Sequence, residues 1–165
     1  MTKVFDTAAV QVSGLSAGRT LSAALMGRED ILTMTQQAHE AALTPDKPGG
    51  LSHAERAALS CRMARLNEED GLAAYFLAMI GDAPEQTARM ADITFDGGDS
   101  GRLVAILRHT DLVTKDTKGV VAGDIAELIS AGISKDDIVR LSELVSFVSY
   151  QIRLTVGLRL MGEAL

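Results

Sequence analysis

The sequence predicts an all-α protein: helical hairpins around a central capped helix pair, closed by a long C-terminal helix. Three observations carry this. Apolar residues recur at spacings of three and four, the period of a helix with one buried face. Helix-start signals precede several of these runs. Ser52 stands three residues before Glu55, and Ser134 three before Asp137, which is capping-box spacing. The composition agrees: 47% hydrophobic residues, only 3 prolines and abundant Ala and Leu.

Residues 1–18 mix β-branched residues with Ser and Gly, and read as an extended arm or loose strand, or a tail. The single domain is expected from residue 19 to 165. Thr20 or Ser22 can start a short helix running to Met26. A better helix opens at Arg28, Glu29 and Asp30. Ile31, Leu32, Met34, Thr35, Ala38, Ala41, Ala42 and Leu43 give it helical spacing. Pro45 ends it, because the residue before proline avoids the helical region. The run from Thr44 to Gly50 is a loop by its prolines and glycines. The central helix follows from Ser52 to Leu66, with Ala54, Ala57, Ala58, Cys61 and Ala64 along one stripe. Asn67 is read as the cap of its partner helix. Glu68, Glu69 and Asp70 suit that helix's positive end, and Leu72, Tyr75, Phe76, Met79 and Ile80 its apolar face.

Gly81 closes this pair. Asp82 caps a short helix with Pro84 in its first turn. The segment from Ile93 to Gly101 is a second loop. It has paired glycines, but its acids and its lack of a P-loop lysine argue against phosphate binding. Asp99 or Ser100 then caps a helix whose buried side carries Leu103, Val104, Ile106, Leu107, Leu112 and Val113. A turn and a short helix from Asp124 to Ala131 lead to the final helix, from about Lys135 to Gly162. Ile138, Leu141, Leu144, Val145, Val148, Ile152, Val156 and Leu160 form its stripe, widened by Phe147, Leu154 and Leu158. A stripe so wide requires partners on more than one side.

The net charge of -6 disfavours nucleic acid and anionic membranes as partners. No uncharged stretch approaches the length of a membrane span, and the N-terminus has no signal-peptide pattern. The 1 cysteine excludes an intramolecular disulfide, so a reducing cytoplasm is the expected location. No cofactor is expected. His39, His53 and His109 lie apart without ligand spacing, so no metal is expected either.

The run from Leu51 to Ile80 resembles the core of the alkylhydroperoxidase D and carboxymuconolactone decarboxylase family. In that family a helix leads to Leu-Asn-Gly-Cys-x-x-Cys, with a His four positions later. Aligned on Leu66 and Asn67, the two cysteines fall on Glu69 and Leu72, the His on Phe76, and the upstream Glu on Ala57. Glu68 replaces the family's glycine. The stretch from Ala131 to Leu154 is similar to the family's C-terminal helical part. The resemblance implies the family's helical fold and a homo-oligomer, whether dimer, trimer or hexamer. It also implies a protein that has lost the family's catalytic side chains.

Four residues remain as candidates for chemistry. Cys61 is the only thiol, but it sits mid-helix on a small-residue stripe, where a core role is the ordinary one. His53 stands at the mouth of the central helix. Glu69 occupies the attacking thiol's position, within acids that equally suit a helix start. Tyr75, with Tyr150 and Arg153, can line a pocket between helices, although a tyrosine on an apolar face is usually core. The expected function is a structural or regulatory subunit without thiol peroxidase activity, with a Cys-x-x-Cys-bearing paralogue as a candidate partner. The alternative is a peroxidase-related antioxidant or other small-molecule enzyme that uses Glu69, His53, Tyr75 or Cys61.

Overall fold

The computed structural model describes residues 4–15 and 22–163. Among these there is no strand. Nine α-helices follow in order: α1 (Ala8–Ser13), α2 (Ser22–Met26), α3 (Glu29–Leu43), α4 (His53–Leu66), α5 (Asp70–Ile80), α6 (Glu85–Arg89), α7 (Gly101–Lys115), α8 (Ala122–Ser130) and α9 (Lys135–Glu163). The all-helical class is therefore as the sequence predicts. Thr20 and the boundary between residues 18 and 19 lie outside the described residues.

Helix α4 is the centre. Every residue from Arg56 to Ala64 is buried, because α3, α5, α6, α7 and α9 all pack on it. Its start is the capping box read from the sequence. The Glu55 amide donates to Ser52 Oγ at 3.2 Å, and the Ser52 amide donates to Glu55 Oε2 at 2.8 Å. Its end differs from expectation. Asn67 closes α4 and does not open α5; its Nδ2 donates back to Met63 O at 2.8 Å. Glu68 then adopts φ 59°. The Glu68 amide donates to Arg65 O and the Glu69 amide to Ala64 O. This is the paired-bond stop that usually carries glycine at the left-handed position, and glycine is what the resembled family has there. The cap position of α5 is Glu69.

The main core joins α4 and α5 to α7 and α9 through Leu59, Met63, Leu72, Phe76, Ile106, Leu107, Leu141, Leu144 and Val148. The loop before α7 is drawn tight against that helix. Gly97 has φ 106°, and a Cβ there would stand 2.5 Å from the Val104 amide nitrogen. A smaller cluster gathers Val4, Ala9, Val10, Leu15, Leu25 and Leu32 around Leu158 of α9.

That cluster corrects the extended reading of the N-terminus. Residues 4–13 form a 3-10 turn and α1, and α1 packs on α9. Burial of Val4, Ala8, Ala9 and Val10 supplies the organisation that local Ser and Gly content obscures. Smaller differences occur at helix starts. Pro84 is the cap position of α6, and α8 opens at Ala122, where Asp124 Oδ2 accepts from the Val121 amide at 2.8 Å. Ile31, Met34, Val104 and Leu160, all read into apolar helix faces, are exposed.

Candidate functional site

Ala57, Leu72 and Phe76 are wholly enclosed in the main core. They pack as apolar side chains where the resemblance would place a carboxylate, a thiol and an imidazole. Cys61 shares that interior. It is 0% exposed, and its thiol donates to Ala73 O at 3.3 Å. Burial pushes its pKa up, against a smaller opposing pull from Arg65. A thiol held protonated and sealed from solvent is a poor nucleophile.

The other candidates are not brought together. His53 is exposed and bonds Pro45 O through Nε2 at 2.9 Å, tying the loop to the start of α4. Glu69 is buried, with Glu68 and Asp70 exposed on either side. Tyr75 meets His39, Tyr150 meets Thr35 at 2.9 Å, and Arg153 is exposed on a groove with Asn67, Val113 and Thr114. Tyr75, Tyr150 and Arg153 therefore do not share one pocket.

His39 is a polar centre that sequence reasoning passed over. It is 4% exposed and ringed by Tyr75, Phe76 and Phe147. Nδ1 faces Gln151 Oε1 at 3.0 Å, and Nε2 faces the Tyr75 hydroxyl at 3.3 Å. The amide oxygen requires Nδ1 to donate, so Nε2 accepts from the phenol. Burial lowers the His39 pKa, while the Gln151 bond and Glu40 work against the shift. Burial, and then Glu40, raises that of Tyr75. At neutral pH the pair is uncharged. It joins α3, α5 and α9. The signal was available: Leu32, Thr35, His39 and Leu43, spaced by three, four and four, are the buried stripe of α3.

Two of the ion pairs on the α4–α5 hairpin contain a deeply buried charge. Arg62 is 3% exposed. It donates Nε and Nη2 to Asp111 at 2.5 and 2.6 Å, and its other N–H groups to the carbonyls of Asp92, Ile93 and Phe95. A groove of about 410 Å³ lies over this pair, lined also by Val104, Leu107 and Arg108. At the other end, Arg159 Nη2 donates to Glu69 Oε1 at 2.6 Å. The second Glu69 oxygen is buried without a partner, as is Thr155 Oγ1. Glu69 makes no side-chain bond to the first amides of α5. Among the described residues, no three metal-ligating side chains stand together, and no helix is long and apolar enough to cross a membrane.

Comparison of the chain with protein-family models, with curated proteins and with solved structures gives no match.

Proposed function

We propose that this chain is a divergent alkylhydroperoxidase D-like protein without thiol peroxidase activity, acting as a structural or regulatory subunit. One observation carries the reading. Three of the four positions that the resemblance assigns to chemistry are filled by packed core: Ala57, Leu72 and Phe76 are at most 1% exposed, the fourth is the ion-paired Glu69, and the one thiol is buried in the same core. Turnover requires a thiolate to attack and a second thiol to resolve the product. Cys61 has no second thiol in the chain. Self-association is part of the proposal. Met26, Ile31, Met34, Leu77, Leu160 and Met161 are large apolar side chains left at the surface, and such residues favour contact between subunits. A Cys-x-x-Cys-bearing paralogue is the partner that the resemblance suggests.

The second reading, an enzyme with a relocated site, draws its support from Glu69. A buried carboxylate with one oxygen unpaired is a group that chemistry can use.

The test is peroxide consumption with a dithiol or lipoyl reductant, comparing the natural protein with Cys61→Ser. No turnover in either is expected. Turnover lost in Cys61→Ser would overturn the proposal in favour of a relocated thiol. Equal turnover in both, persisting after repurification and lost in Glu69→Gln, would establish the second reading.

A further inference from the structure

The groove over the Arg62–Asp111 pair has two walls. One is a single face of α7. Leu107, Arg108 and Asp111 follow Val104 by three, four and seven positions, along about 10 Å of helix. The other is the segment before α7, from Ile93 to Asp96. Buried Arg62 ties the walls together, holding Asp111 on one and the carbonyls of Ile93 and Phe95 on the other. At about 410 Å³ the groove has the size of a small-molecule site, which is typically apolar with a few placed polar groups. Ile93 is 47% and Val104 39% exposed, so the fold leaves large apolar side chains uncovered along it. None of the positions that the resemblance assigns to chemistry lines it, so the site is independent of the reading above.

The polar groups decide which small molecule fits. Both guanidiniums of the lining are committed. Arg62 uses all five N–H donors on Asp111 and three carbonyls. Arg108 is held by Glu127 and by Asp124, the latter at 3.3 Å. Arg89 lies against the Phe95 ring, 4.3 Å from its centroid, and is not part of the lining. The carboxylates keep capacity. Each Asp111 oxygen accepts one bond from Arg62 and has a second lone pair, and the side chain is 33% exposed. Asp96 is exposed and gives one oxygen to the Gly98 amide. Counting the lining and the acids that hold Arg108, Arg62 and Arg108 face Asp96, Asp111, Asp124 and Glu127. Such a groove favours a cation that donates hydrogen bonds and disfavours an anion.

We propose that this groove binds a small amphipathic amine. Its apolar part lies along Ile93, Val104 and Leu107, and its ammonium group donates to the Asp111 carboxylate. Asp96 adds attraction from the opposite wall.

The test is a nitrogen-15 NMR titration of the full chain with hexylammonium, hexanoate and 1-hexanol at one pH and ionic strength. Hexylammonium should give saturable shifts confined to residues 93–96 and 104–111. Hexanoate should bind at least about tenfold more weakly, and the uncharged alcohol more weakly than the ammonium. Asp111→Asn would also open the Arg62 clamp, so the groove is blocked instead by Val104→Lys, at a position exposed enough to carry the longer side chain. Val104→Lys should weaken hexylammonium at least about tenfold, and Asp96→Asn about threefold through a screened charge. Thermal unfolding confirms that each variant is folded. The absence of saturable shifts with hexylammonium overturns the proposal, and so do shifts that map elsewhere. Hexanoate or hexanol binding as tightly as the ammonium overturns it on the natural protein alone, as does undiminished affinity in folded Val104→Lys.

Discussion

Arg62–Asp111 and Arg159–Glu69, the two ion pairs of the α4–α5 hairpin that contain a deeply buried charge, differ in how completely they are closed. Arg62 has all five of its N–H donors engaged, two by Asp111 and three by carbonyls of the segment before α7. Glu69 has one oxygen engaged and the other buried and unmet. Both charges are deeply buried, so burial alone does not separate them. The count of satisfied hydrogen-bonding groups does. Arg62 is a finished structural clamp. Glu69 is a half-paired junction.

The largest effect should come from opening the closed clamp. Arg62→Met strands Asp111 and three carbonyls, and should cost about 3–5 kcal/mol by denaturant unfolding. Arg62→Lys should recover little, because an ammonium has three donors and no planar fork. A loss below about 1 kcal/mol would mean that the clamp is ornamental, and the contrast with Glu69 would fail.

Acid should expose a second polar centre of the interior. The His39 pKa is lowered in the folded state from its ordinary 6.5, chiefly by burial. The unfolded chain therefore binds the proton first. Stability is full above the unfolded value and falls as pH drops through about 6.5, by at most about 1.4 kcal/mol per pH unit for one histidine. The loss ends once pH is below the folded value. His109 is lowered in the same direction, first by burial, with Asp124 opposing and Arg108 adding. His39→Gln should remove the His39 share of the slope between pH 7 and 5. An unchanged slope would assign it to His109 and the carboxylates.

The open junction should be the milder of the two. Arg159 is more than a third exposed and its charge is screened. Arg159→Met leaves the buried Glu69 carboxylate with neither oxygen paired and should cost about 1–3 kcal/mol, below Arg62→Met. Equal losses would erase the comparison. The smallest effect is a gain. Glu68 holds a left-handed conformation that costs a side-chain-bearing residue about 1–2 kcal/mol. Glu68→Gly should relieve most of this, offset in part by the added freedom of the unfolded chain, for a net gain of roughly 0.5–1 kcal/mol in thermal unfolding.

The sequence made helix starts legible where the motif is local. Ser52 and Glu55 cap α4, and Ser134 Oγ accepts from the Asp137 amide before α9. It misplaced Asn67, because an Asn after a leucine serves a helix end as readily as a start. Only the left-handed turn at Glu68 decides between them. The N-terminal helix was hidden because its stability comes from α9, far along the chain. The polar centres were hidden for a different reason. A helix surrounded on all sides buries whatever it carries. Arg56, whose guanidinium donates to the carbonyls of Ala42, Pro48 and Leu51, and Arg62 lie inside although their sequence neighbourhood reads as an amphipathic surface. Of the candidate residues, Cys61 lies in the core as its stripe implies, whereas the meeting of Tyr75 with His39 depends on how α3 and α5 pack.

The most direct measurement is the reactivity of Cys61. The proposed loss of thiol function rests on a thiol sealed between α4 and α5, bonded to Ala73 O. Labelling with an aromatic disulfide at pH 8 should be negligible in the folded protein. It should reach one thiol per chain only on unfolding, at a rate that rises with denaturant along the unfolding transition. Rapid stoichiometric labelling without denaturant, accelerated above that of a free cysteine, would contradict it by showing an accessible, activated thiolate.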